Sequence, residues 1–243
     1  YEDIIVIVNA ANAMELGFVD EYEQISSVLW CPGTGQSGFN SLGSILKGET
    51  NPSAKTSDTF VRDLTKTPTY NNFGFFAYDN MDEFEVDGFV PNFVNYTDGI
   101  YVGYRFYETA AEEGLINYEE MVQYPFGYGL SYTTFEQKMG ELEVKDGTIS
   151  VDVTVTNTGD AAGKDVVEIY YNPPYTNGGI EKASVNLIGF EKTEVLEPGE
   201  SETVTVTFTE EDMASYDDIN AKAYVLEAGD YEISLRTDSH TVV

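Results

Sequence analysis

The chain is short of the residues that carry most enzyme chemistry. It holds one cysteine, one histidine and one tryptophan in 243 residues. A lone cysteine, Cys31, excludes an intrachain disulfide and leaves the redox compartment open. A lone histidine, His240, has no second base or metal ligand near it in sequence, which speaks against a His-based catalytic or metal centre. Positive charge is equally scarce, with 12 Lys and Arg against 43 Asp and Glu and a net charge of −31. Residues 1–75 hold 9 acids and 4 bases, residues 76–133 hold 11 and 1, and residues 134–243 hold 23 and 7. The negative charge is thus spread along the chain, and no segment is basic. Nucleic acid and anionic lipid are poor partners for such a field, whereas a neutral sugar meets no electrostatic penalty. The same charge also serves solubility. No apolar run approaches the roughly 20 residues of a membrane span.

What is present is enough for a packed core: 42% hydrophobic and 14% aromatic residues. The length suits one large or two modest domains. Ile4-Ile5-Val6-Ile7-Val8 is a continuous β-branched run, the pattern of a strand buried on both faces of a parallel sheet. A second apolar strand, Ser27-Val28-Leu29-Trp30-Cys31, follows and leads into a helix near 38–47. Phe39, Leu42, Ile45 and Leu46 share one face of that helix, and Gly48 sits where a terminating glycine belongs. Two strands and one or two helices cannot cover both faces of such a sheet. Residues 1–75 are therefore expected to be the closing part of a larger α/β domain, completed by upstream sequence or by another chain.

Residues 61–133 show weak periodicity but many aromatics, which predicts a packed linker with short helices near 105–113 and 117–121. Its end, Tyr124-Pro125-Phe126-Gly127-Tyr128-Gly129, is too aromatic for a solvated tether. From 135 onward apolar and polar residues alternate. Ile149, Val151, Val153 and Val155 interleave with Ser150, Asp152, Thr154 and Thr156; Val204-Thr205-Val206-Thr207-Phe208 and Tyr231-Glu232-Ile233-Ser234-Leu235 repeat the pattern. Turn signals stand between, at Asp146-Gly147, Gly159-Asp160, Pro173-Pro174, Pro198-Gly199 and Gly229-Asp230. This predicts a β-sandwich of the immunoglobulin or fibronectin kind. The expected divisions are 1–75, 76–134 and 135–243.

Each candidate motif has a plain structural reading beside a functional one. Gly33-Thr34-Gly35-Gln36-Ser37-Gly38 matches the dinucleotide fingerprint and follows a strand. The acid expected about 20 residues later is missing: Asn51-Pro52-Ser53-Ala54-Lys55 stands there, so close backbone packing is the better reading. Arg105, alone among Tyr101, Tyr104, Phe106 and Tyr107, predicts a partly buried cation stacked on rings and forked onto a carboxylate, with direct sugar contact as the functional alternative. Cys31 reads as a small buried hydrophobe. Asn95-Tyr96-Thr97 is a glycosylation sequon, meaningful only in a eukaryotic secretory setting. A glycosidase needs two carboxylates roughly 5–5.5 Å apart for a retaining mechanism. Among so many acids none stands in a distinguishing setting; Glu15, in Asn12-Ala13-Met14-Glu15-Leu16, comes nearest.

Three stretches, in order, resemble glycoside hydrolase family 3, the β-glucosidase family. Ile5 to Leu16, then Trp30, Pro32-Gly33, Gly48 and Asn51-Pro52-Ser53, are similar to the end of its α/β sandwich domain. Tyr101 to Phe106 and Tyr124 to Phe135 are similar to its linker. Val153 to Gly159, Ala162-Gly163-Lys164, Ile188 to Lys192 and Leu196 to Glu200 are similar to its fibronectin type III-like domain. The resemblance implies a retaining β-glycosidase without cofactor or metal. Its nucleophile is an Asp in a separate barrel domain, and its acid/base a Glu preceding the strand that opens this chain. Neither motif is present, so no catalytic residue is assigned and the chain alone is expected to be inactive. Its implied partners are the remainder of the same enzyme and a β-glucoside or oligosaccharide. The insertion at 76–123 resembles family members in which the barrel follows the β-sandwich.

Two other readings remain at this point. A carbohydrate-binding or cell-surface adhesion module of fibronectin type would show a row of exposed aromatics on one sheet face. A dinucleotide-binding oxidoreductase would rest on the glycine loop alone. Trp30 and Tyr78 are the aromatics that could edge a sugar site.

Overall fold

The computed structural model describes residues 1–72, 74–84, 88 and 91–243. Strands β1 (Ile4–Val8) and β2 (Ile25–Trp30) pair in parallel, joined through helix α1 (Phe18–Glu21). Helix α2 (Phe39–Leu46) follows and ends at Gly48, whose φ of +73° is the left-handed terminator expected from sequence. One side of this unit is packed: Val8, Leu16 and Phe60 are buried, with Val6, Val28, Trp30 and Tyr124 against them. The other side is bare. Ile5 is 46% and Ile7 42% exposed, and Phe39 and Leu46 of α2 are exposed too. The β-branched run predicts burial on both faces; among the described residues only one face finds partners.

The middle of the chain is irregular but anchored. Strand β3 (Phe60–Val61) pairs with β6 (Val122–Tyr124), and a small hairpin joins β4 (Phe76–Ala77) to β5 (Asn92–Phe93). Helices α3 (Tyr104–Glu112) and α4 (Tyr118–Met121) lie where the sequence places them. They form a second small core with Val61, Tyr107, Tyr118, Met121 and Val122. The packing expected at residues 73, 85–87, 89 and 90 lies outside the described residues.

Residues 135–243 form a sandwich of two antiparallel sheets. One runs in the order β11 (Ser201–Thr209), β8 (Thr148–Asn157), β7 (Phe135–Lys145); the other β10 (Asn186–Lys192), β9 (Val166–Asn172), β14 (Glu232–Arg236). A further hairpin joins β12 (Ser215–Asp217) to β13 (Ala223–Val225). The β7–β8 turn is Asp146-Gly147 with φ of +51° and +78°, the two positive values that a two-residue hairpin of this twist requires. Ile149, Val151, Val153 and Val155 of β8 meet Val167, Ile169 and Tyr171 of β9 and Val206 and Phe208 of β11. Full burial of side chains of this size contributes roughly 1.5–3 kcal/mol each, which makes this the dominant core.

Strand β9 is buried on both faces. Its core face is Val167, Ile169 and Tyr171; its other face carries Glu168 and Tyr170, also buried. The linker supplies that cover. Phe126 stacks on Tyr104 with ring centroids 4.8 Å apart, and Tyr104 meets Tyr170 edge-on at 6.1 Å. Gly127, at φ +83°, lies so close that a Cβ there would fall 2.4 Å from Glu168 Oε2. Phe126 and Gly127 of the aromatic motif thus help Tyr104 cover this sheet, while Tyr124 packs on Tyr128 and Phe60.

Candidate functional site

The segments singled out by sequence converge on a three-way junction. Asn51 reaches all three parts: its Oδ1 accepts from Ser131 Oγ at 3.0 Å and Tyr132 N at 2.8 Å, and its Nδ2 donates to the Ala162 carbonyl at 3.0 Å. Tyr132 Oη donates to the Ile45 carbonyl at the end of α2 (2.8 Å), and Lys192 Nζ to the Ser53 carbonyl (2.9 Å). On the far side of β10, Tyr104 Oη accepts from Leu187 N at 2.8 Å, and Thr109 Oγ1 from Ser184 N at 3.0 Å. The linker is therefore bonded to both neighbours along its length.

Three buried carboxylates sit at this junction among the described residues: Glu168, Glu108 and Asp238, whose Oδ1 accepts from His240 N at 2.9 Å and Thr241 N at 2.8 Å. Glu168 accepts from Tyr170 Oη at 2.6 Å. Burial outweighs that bond and pushes its pKa up to about 7. Glu108, on α3, accepts from Ser239 Oγ at 3.1 Å and pairs with His240 Nδ1 at 2.9 Å. The His240 ring lies flat on Tyr118, 3.6 Å between centroids and 5° between planes. The Glu108 bond raises the His240 pKa against the opposing effect of burial. Sequence reasoning did not find this pair, because the partners are 132 positions apart and only the fold of the C-terminal segment onto α3 joins them.

The sign of the His240 shift sets a pH dependence. A raised folded-state pKa contributes stability that is complete below the ordinary histidine value near 6.5 and is lost as pH climbs through the folded-state value. His240→Asn is expected to cost about 1 kcal/mol at pH 6, a figure held low because the imidazole is more than a third exposed. The cost should shrink toward pH 9, as read by urea unfolding at both pH values; a pH-independent cost would contradict the ion pair.

The remaining candidates divide. Gly33 and Gly35 have φ of +56° and +61° with open space at their Cβ positions, so conformation is what they supply. Only Gly38 packs against backbone, where a Cβ would stand 2.2 Å from the Thr34 carbonyl oxygen. That corrects the expectation of close packing for all three. Arg105 stacks over Tyr104 at 5.7 Å as expected, but among the described residues no carboxylate lies within ion-pair distance of it. Its Nε is buried without a hydrogen-bond partner among the described residues. Cys31 is half-buried rather than fully buried, with burial pushing its thiol pKa up. Glu15 is structural: its Oε1 accepts from Leu64 N at 2.7 Å. Trp30 is committed to the fold, donating to the Ala10 carbonyl at 2.8 Å and meeting Phe60 edge-on at 5.3 Å. Tyr78 is 41% exposed, in a cluster with Phe84 and Phe93.

Comparison with known proteins matches these parts in order. Residues 1–104 match the glycosyl hydrolase family 3 C-terminal domain, and residues 165–239 the fibronectin type III-like domain. The chain belongs to glycosyl hydrolase family 3. It is 37% identical to a β-glucosidase of Ruminococcus albus over 98% of its own length, which is 23% of that protein. It is also 37% identical to β-glucosidase A of Butyrivibrio fibrisolvens, covering 28% of that protein. All of this family 3 chain superposes on 25% of the Paenibacillus barengoltzii β-glucosidase structure, with a TM-score of 0.84 at 32% identity. Superposition on β-glucosidase 3B of Thermotoga neapolitana gives 0.79 at 34% identity, over 30% of that chain. The family 3 chain thus spans about a quarter of the length of the relatives it matches. An α/β region of the C-terminal domain followed by a fibronectin-like sandwich is the fold expected from sequence.

Proposed function

We propose that this chain is a non-catalytic portion of a retaining β-glycosidase of the β-glucosidase type, with both catalytic carboxylates contributed from outside it. In the whole enzyme one carboxylate attacks the anomeric carbon while an acid protonates the leaving oxygen. Water, activated by the same residue acting as base, then releases the sugar. This chain contributes architecture to that reaction: a wall of the α/β sandwich domain, a linker, and a fibronectin-like brace. On this reading the parts are 1–75, 76–134 and 135–243.

The observation that carries the proposal is the bare side of the β1–β2 sheet. Ile5 and Ile7, which alternation puts on one face of β1, are exposed, as are Phe39 and Leu46 of α2; they are apolar residues of the kind that parallel sheets bury under further helices and strands. The remainder of the same enzyme is the occupant proposed for it. The module reading has less support. Outward positions of β8 and β11 carry hydroxyls and carboxylates paired across the strands, as in Thr154–Thr203 at 3.0 Å, Thr156–Ser201 at 2.8 Å and Asp152–Thr205 at 2.6 Å. A sugar-stacking face would place rings there.

The 243-residue chain alone should give no turnover of a nitrophenyl β-glucoside, while the full-length protein should hydrolyse it. Turnover by the isolated chain at a rate comparable to the full-length protein would overturn the proposal.

A further inference from the structure

A cleft of about 270 Å³ opens between the loop at 58–69 and the turn at 98–107. It is built differently from the junction described above. Its polar side chains are Asp58, Thr59, Thr67, Thr69, Asp98, Tyr101 and Tyr107; Val102 and Phe106 are among the apolar walls. No Lys, Arg or His lines it among the described residues. Thr59 is only 6% exposed, yet its Oγ1 has no hydrogen-bond partner among the described residues. Asp98 Oδ1 is likewise buried and unpartnered there. Burial, together with the charges of Asp58 and Asp98, pushes the Tyr107 phenol pKa up to about 12, so its hydroxyl keeps its proton. Buried polar atoms without partners are uncommon in native proteins and call for a ligand, water or ion.

We propose that this cleft binds a neutral polyhydroxy ligand of monosaccharide size, held by Asp58, Thr59, Asp98 and Tyr107. Carboxylate oxygens only accept hydrogen bonds, whereas the threonine and tyrosine hydroxyls both donate and accept. A ligand hydroxyl can donate to Asp98 and accept from Tyr107 in the same pose. An ammonium group only donates and would leave the phenol proton unmatched. An anion would meet two carboxylates and no cation. The apolar walls suit the C–H faces of a pyranose, and the volume lies at the small end of ligand pockets, which favours one sugar ring over a chain. The proposal concerns residues of this chain only and stands independently of the reaction of the whole protein.

The test is a titration of the protein with glucose, followed by backbone NMR shifts and by diffraction from glucose-soaked crystals. Saturable shifts confined to residues 58–69 and 98–107, with a dissociation constant on the order of millimolar, are expected. The soaked crystal should show a pyranose within hydrogen-bond distance of Asp98 Oδ1. Asp98→Asn should weaken binding by about tenfold or more, since a charged acceptor is lost, and the exposed Asp58→Asn should weaken it less. Absence of saturable shifts up to about 100 mM glucose, well above any millimolar constant, would overturn the proposal. So would a soaked cleft holding only water, equal affinity in wild type and Asp98→Asn, or the same shifts produced by ammonium or calcium ions in place of glucose.

Discussion

Asn157→Ala is expected to cost about 3–5 kcal/mol, enough to remove a large share of the stability of an ordinary domain. Asn157 closes β8 and is completely buried. All four of its hydrogen-bonding positions are used. Its Oδ1 accepts from Thr133 Oγ1 at 2.7 Å and Gly159 N at 3.1 Å. Its Nδ2 donates to the carbonyls of Ala161 and Leu196, both at 2.8 Å. One side chain therefore ties the start of β7, the turn after β8 and the approach to β11. Alanine leaves the Thr133 hydroxyl, the Gly159 amide and the Ala161 carbonyl without this partner in a site that water reaches poorly, at roughly 1–3 kcal/mol per stranded group before relaxation, while the Leu196 carbonyl keeps its bond from Gly163 N at 3.1 Å. Asn157→Asp should be nearly as harmful, because a carboxylate has no donor for the two carbonyls. Urea unfolding of the three proteins measures this; a loss below about 1 kcal/mol in the alanine variant would show that the network contributes little.

The second large effect is a gain. Glu168→Gln should stabilise the protein by about 3 kcal/mol at pH 8 and by little at pH 4.5. Glu168 holds its proton up to about pH 7, mainly because burial disfavours the carboxylate. An unfolded glutamate titrates near 4.3. Between these values the folded state binds more protons than the unfolded state, so stability falls as pH rises. A gap of about two and a half pKa steps corresponds to about 3 kcal/mol lost across that window. Glutamine keeps the shape and the bond from Tyr170 Oη but carries no proton to lose. Unfolding curves at half-unit intervals from pH 4.5 to 8 should show the wild type declining and the variant lacking most of that decline. Parallel curves for the two proteins would refute a buried neutral Glu168.

These two residues also show what could be read in advance. The strands that face water on one side, β8 and β11, advertise themselves by alternation, because only one face has to be apolar. β9 reads Val166-Val167-Glu168-Ile169-Tyr170-Tyr171-Asn172 and does not alternate cleanly, because the linker buries its second face. The linker's role is legible in its aromatic density; its target is not, since Phe126 and Tyr170 are brought to Tyr104 from positions 22 and 66 residues away. The helices α2 and α3 and the terminating Gly48 follow from local patterns. Non-local pairs such as Glu108–His240 leave no local pattern, and nothing in sequence reports that Arg105 has no carboxylate within ion-pair distance among the described residues. The cleft between 58–69 and 98–107 was equally invisible. It is lined by ordinary Asp, Thr and Tyr residues, and its significance comes from Thr59 Oγ1 and Asp98 Oδ1, which are buried without a partner among the described residues.

The covered face of β9 has a further consequence for how such proteins can be recombined. A fibronectin-like sandwich excised at Phe135 would open Tyr170 and Glu168 to water, and Ser239 would lose the Phe126 carbonyl that its amide donates to at 2.9 Å. The transplantable cassette is therefore longer than the sandwich: it includes α3, α4, the Tyr124–Phe135 strap and the segment from Ile45 to Val61 that bonds to the strap. Recombination has to carry segment, strap and sandwich together, so that gene fusions cut upstream of α2 should yield soluble chimeras where cuts at Phe135 yield aggregates.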